Sequence, residues 1–111
     1  MAKSAEERFA AIADGQLRAG DVSAGTGFGR SQGLRIAGKI FAMLVNGELV
    51  VKLPRERVQD LSASGVGHAF DPGHGRVMME WVSVPTEAWR RWPALVEEAR
   101  EFVDPTSRRR S

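Results

Sequence analysis

The stretch Gly38–Leu53, GKIFAMLVNGELVVKL, decides how the rest of the chain must fold. Two apolar runs flank Asn46-Gly47, and a two-residue hairpin turn with both φ angles positive accepts asparagine and glycine most readily. Such a loop sets the register by counting outward. Val45 stands opposite Glu48, Leu44 opposite Leu49, Met43 opposite Val50, Ala42 opposite Val51, Phe41 opposite Lys52 and Ile40 opposite Leu53. Successive side chains point to opposite faces, so the pairs sort into two sets. Ile40, Ala42, Leu44, Leu49, Val51 and Leu53 form a wholly apolar face; Lys39, Phe41, Met43, Val45, Glu48, Val50 and Lys52 form a mixed one. A sheet dry on one side and mixed on the other calls for helices on the dry side only.

The flanking sequence supplies them. Ala5, Phe9, Ile12, Ala13 and Leu17 recur at helical spacing within Ser4–Ala19, with Ser4 and Glu7 spaced as a capping box and Gly20 as the stop. Asp21–Gly33 reads as a loop from which Val22 or Phe28 could dip back onto the core, and Leu34–Ala37 as a short strand with a turn or bulge at Gly38. Beyond the hairpin, Pro54–Ser64 reads as a helix opened by proline and closed by Gly65. Val66–Phe70 and Arg76–Val84 are strands around the turn residues Asp71-Pro72-Gly73. Thr86 caps a last helix that places Trp89, Trp92, Val96, Ala99, Phe102 and Val103 near one face; Pro93 either kinks it or starts a second helix, and Asp104-Pro105 ends it. The expected fold class is two-layer α+β, a mainly antiparallel five-stranded sheet with helices on one face, in the order helix, three strands, helix, two strands, helix. Residues 1–106 form one domain and residues 107–111 a basic, disordered tail.

Composition narrows the function classes. An apolar fraction of 42% and a charged fraction of 27% are ordinary for a soluble globular protein. There is no membrane-length apolar run and no secretory signal, and the absence of cysteine removes disulfides and thiolate chemistry. Together these lead us to expect a cytoplasmic protein. The net charge of +2 comes from the tail: without Arg108, Arg109 and Arg110 the basic residues number thirteen against fourteen acidic. Those three arginines are the candidate phosphate contacts, on a folded part that is itself nearly neutral.

No stretch carries a catalytic signature. Gly25-Thr26-Gly27-Phe28-Gly29-Arg30 is glycine-rich, but it follows a helix and precedes a strand, the reverse of a phosphate cradle. His68, Asp71 and His74 are the residues that most resemble metal ligands or an acid–base set, grouped around one exposed turn, and they define the reading as a metal enzyme or hydrolase. Neither Ser62-Ala63-Ser64-Gly65 nor Ser23 has the strand-to-helix setting that activates a serine. The expectation is therefore no enzyme, no cofactor and no metal. The mixed hairpin face remains: Lys39, Phe41, Met43, Val50 and Lys52 are the candidate binding face, on which apolar groups edged by lysine suit DNA, a protein partner or a second copy of the chain, the alternative being a face packed under the glycine-rich loop.

The runs Gly38-Lys39-Ile40-Phe41-Ala42 and Leu49-Val50-Val51-Lys52-Leu53 around Asn46-Gly47, then Phe70-Asp71-Pro72, Gly75-Arg76 and Met79-Glu80-Trp81-Val82-Ser83-Val84, resemble the MmcQ/YjbR-like family. They are also similar to the related N-terminal domain of TfoX/Sxy competence regulators, with Val77 where that branch often has proline. The likeness spans about residues 33–103. It implies the two-layer fold above, similar to type III secretion chaperones, with no cofactor and no catalytic residues. It further implies a DNA-binding or regulatory role, the TfoX branch being associated with transcriptional control of competence. A protein-interaction module, chaperone-like or adaptor-like, is the alternative.

Overall fold

The computed structural model describes residues 3–25, 32–71 and 78–108. In chain order the elements are α1 (Ala5–Leu17), β1 (Val22–Ala24), β2 (Gln32–Ile36), β3 (Lys39–Val45), β4 (Glu48–Lys52), α2 (Arg55–Ala63), β5 (His68–Phe70), β6 (Met78–Val84), a 3-10 turn (Thr86–Arg91), α3 (Trp92–Val103) and a last turn, α4 (Pro105–Arg108). The strands form a single sheet in the order β1-β2-β3-β4-β6-β5, antiparallel at every pairing. The fold is α+β as expected, with six strands among the described residues rather than five. The addition is β1, inside the stretch read as a loop. Three residues, of which only Val22 is large and apolar, carry too little alternation to show as a strand. Val22 is nonetheless buried in the core opposite Ile36, while Phe28 lies outside the described residues.

The hairpin turn has Asn46 at φ 51° and Gly47 at φ 78°, and from Val45–Glu48 to Ala42–Val51 the pairs are those counted from the sequence. The count fails one step further. Against β2, Leu34 pairs with Ala42 but Arg35 pairs with Ile40, so Phe41 is an extra residue in a β-bulge. A bulge breaks the strict alternation of side chains. Phe41 turns into the core, fully buried, and Ile40 is left half-exposed and outside it. The sequence assignment of Phe41 to the mixed face and Ile40 to the dry face is thus reversed.

The helices cover one side of the sheet. α3 packs on β3 and β4, α2 on β6 and β5, and α1 on β1. Phe9, Val58, Leu61, Trp92, Leu95, Val96 and Ala99 meet Leu34, Phe41, Leu49, Val51, Leu53, Val82 and Val84 in one continuous core. Full burial of a side chain of this size stabilises by about 1.5–3 kcal/mol, which dominates any single polar contact. Local signals set the helix ends. Ser4 and Glu7 form the capping box, with each side chain accepting from the other's backbone N–H at 3.1 and 2.9 Å. After α2, Val66 N–H reaches Leu61 C=O and Gly65 N–H reaches Ser62 C=O, a Schellman close around Gly65. Pro93 starts α3 rather than kinking a longer helix. Thr86 is not a cap; its hydroxyl donates to the Gly47 carbonyl at 2.8 Å and pins the hairpin turn.

Candidate functional site

The sheet face away from the helices is built from alternate residues of four neighbouring strands. Arg35 of β2, Met43 and Val45 of β3, Glu48, Val50 and Lys52 of β4, and Trp81 and Ser83 of β6 share it, as the registers Met43–Val50–Ser83 and Lys52–Trp81 require. In a one-sided antiparallel sheet this surface is normally polar. Here Met43, Val45 and Trp81 are half-buried apolar groups, and no described helix lies across them. The charges sit at the ends of the strip. Arg35 and Lys52 stand at one end, with the Lys52 ammonium 5.8 Å from the centre of the Trp81 ring. Glu48 stands at the other, where it lines a cleft of about 260 Å³ with Asn46, His68, Asp71 and Ser83.

Within that cleft the Ser83 hydroxyl donates to Glu48 Oε1 at 2.5 Å, and His68 Nε2 lies 3.7 Å from the same oxygen. The carboxylate therefore stands between the hydroxyl and the imidazole. A serine nucleophile needs the reverse order, with imidazole taking the hydroxyl proton and the carboxylate behind it. Ser83 is also buried. This trio joins β4, β5 and β6 into one polar corner rather than arming a nucleophile.

The five candidate binding residues separate. Met43 and Lys52 stay on the exposed strip. Val50 lies at its centre with none of its surface exposed, and Phe41 belongs to the core. Lys39 has moved to the end of the sheet, where with Lys52 and Glu80 it rims a cleft floored by Phe102 and Val103 of α3. Trp81, Val45 and Glu48 were the residues to add, and the strand pairing that places Trp81 beside Lys52 spans 29 positions of sequence. Of the metal-ligand candidates, His68 and Asp71 line the polar corner and His74 lies outside the described residues. Among the described residues no group of three or more His, Cys, Asp or Glu side chains is placed to hold a metal ion. Arg108 ends α4, while Arg109 and Arg110 lie outside the described residues. No helix among the described residues is long and apolar enough to cross a membrane.

Trp89, expected in the helical core stripe, is instead partly exposed, because the chain breaks from helical geometry at Ala88 (φ −98°, ψ 26°). The Arg8 guanidinium lies 3.7 Å and that of Arg90 5.1 Å from its ring centre. The first stack ties α1 to the 3-10 turn and is a contact within the fold.

Fold and site together define a small antiparallel α+β domain, clothed by helices on one side and bearing an apolar strip with charged ends on the other. The chain belongs to the TfoX N-terminal domain family, whose family model matches residues 14–104. The matched span runs from inside α1 to the end of α3 and so includes all six strands; the MmcQ/YjbR-like family is closely related. No curated protein and no solved structure matches the chain.

Proposed function

We propose that this TfoX-type domain is a regulatory, non-enzymatic binding module that receives a protein partner on the sheet face away from its helices. The observation that carries this reading is the strip Met43, Val45 and Trp81, apolar and accessible on the side of the sheet that no described helix covers. Apolar and aromatic groups edged by charge suit a protein interface, where aromatic residues and methionine are enriched. Duplex DNA is bound chiefly by neutralising phosphates. The strip offers Arg35 and Lys52 for that purpose but also Glu48, and the chain without Arg108–Arg110 has one more acidic than basic residue. A role in transcriptional control, which the family resemblance implies, is then exercised through a protein contact.

Site-directed photo-crosslinking in living cells tests this. A photoreactive residue at Met43 is expected to yield a discrete adduct heavier than the chain, while one at the exposed α2 residue Glu56 yields none. Absence of an adduct from Met43 overturns the reading. So does tight retention of duplex DNA by the purified chain that survives an increase from about 50 to about 200 mM salt, where a phosphate-only contact weakens steeply.

A further inference from the structure

We infer that the partner is a second copy of this chain, packed sheet against sheet about a two-fold axis that crosses β4 over Val50. The inference rests on the binding role proposed above and names its occupant.

The order of charges along the strip carries it. On the side of β4 away from the helices the residues run Glu48, Val50, Lys52: half-exposed acid, fully covered valine, half-exposed base. Four steps of strand take Glu48 to Lys52, about 13 Å at the usual rise. A dyad lying between two facing sheets, perpendicular to the strands and level with Val50, exchanges the two ends. It sets Glu48 of each copy over Lys52 of the other. The same operation sets the half-buried Met43 of each copy against that of the other, with Val50, which has no exposed surface of its own, beneath. Arg35 adds to the basic end, where Glu80 also rims the cleft beside Lys52, and Asp71 adds to the acidic end, where His68 lies 3.7 Å from Glu48. A surface that two-fold symmetry makes complementary to itself is what an isologous dimer requires. A same-sign patch would repel its image, and a charge-free strip would leave the register undetermined.

Size sets the expected strength. Six strands about 4.8 Å apart and about five residues long give a face of roughly 500 Å² in projection, below the ~800 Å² per partner of a stable complex. The dimer is therefore reversible, forming in the micromolar to millimolar range. Strands of the two copies cross at the small angle of aligned sheet packing, about 30°, with the layers about 10 Å apart.

Sedimentation of the purified chain between about 10 µM and about 1 mM tests this. The mass of the natural sequence is expected to rise toward twice that of the chain, and the dimer to weaken as salt screens the two Glu48–Lys52 pairs. Each single reversal, Glu48→Lys or Lys52→Glu, strikes the interface twice and is expected to raise the dissociation constant at least about tenfold. The double reversal restores the pairs and is expected to bring it back to within about threefold of the natural chain. A chain that stays monomeric at about 1 mM overturns the inference, and so does a dimer insensitive to salt or to the single reversals. Single reversals that weaken the dimer with no rescue in the double overturn the placement of the axis. A monomeric chain whose Met43 probe still captures another protein in cells leaves the binding role standing without the dimer.

Discussion

Ala37 is the residue at which the backbone conformation and the side chain disagree. The β2–β3 turn is built from Ala37 at φ 54° and Gly38 at φ 78°, the same pair of left-handed residues as Asn46 and Gly47 in the next hairpin. An L-residue with a Cβ pays about 1–2 kcal/mol for that conformation, and asparagine tolerates it better through its short polar side chain. Ala37 is exposed, so no packing is lost on replacing it. Ala37→Asn is expected to raise the unfolding free energy by about 1 kcal/mol, seen as a higher urea midpoint with an unchanged slope. Gly67 presents the opposite constraint. A Cβ there would lie 2.7 Å from the Ser83 carbonyl and 3.0 Å from a Val82 methyl, so only glycine lets β5 begin this close to β6. Neither demand is visible in the local sequence, where Ala37-Gly38 lacks the asparagine of a strong turn signal and Gly67 reads as one more residue of a strand.

At the scale of elements, the helices are fastened to one another as well as to the sheet. Gln16 of α1 donates to Glu97 of α3 at 2.7 Å, Glu97 also accepts from Arg100, and Arg57 of α2 meets both oxygens of Glu98 at 2.7 and 3.3 Å. The hydrogen bond from Arg100, then that from Gln16, holds the Glu97 carboxyl below the usual carboxylate range, against an opposing effect of burial. A carboxyl whose folded pKa is lowered adds stability that is fully present above its unfolded pKa, about 4.3, and is lost as pH falls through the lower folded value. Glu97→Gln is therefore expected to lower stability near neutral pH and to show a shallower decline below about pH 4 than the natural chain, as measured by urea unfolding at several pH values. A variant that declines as steeply as the natural chain would place the acid sensitivity elsewhere. The half-exposure of Glu97 keeps the effect small, because solvent screens such pairs.

At the scale of the whole molecule, the bulge at Phe41 divides the core from the sheet face away from the helices. Phe41→Ala empties a fully buried aromatic site and is expected to cost about 3–5 kcal/mol, while Met43→Glu, two residues on and half-exposed, is expected to leave the unfolding transition nearly in place. Thermal unfolding of both variants checks the division; equal losses would mean that Met43 belongs to the core. The chain by itself determined the β3–β4 register near the turn, the capping box, the stop at Gly65 and the one-sided placement of the helices, and left Pro93 open between a kink and the start of α3. Those follow from φ preferences, caps and alternation acting over a few residues, so a local pattern suffices. Tertiary structure alone decided that β1 joins the sheet, that Phe41 turns inward, that Thr86 serves the hairpin turn, that Trp89 stacks with Arg8, and that Glu48 meets Ser83 and His68. The contacts of Thr86, Trp89 and Glu48 join residues tens of positions apart, which leaves no mark on either segment taken alone, while β1 and the bulge at Phe41 depend on how neighbouring strands pair, which alternation within one strand does not show.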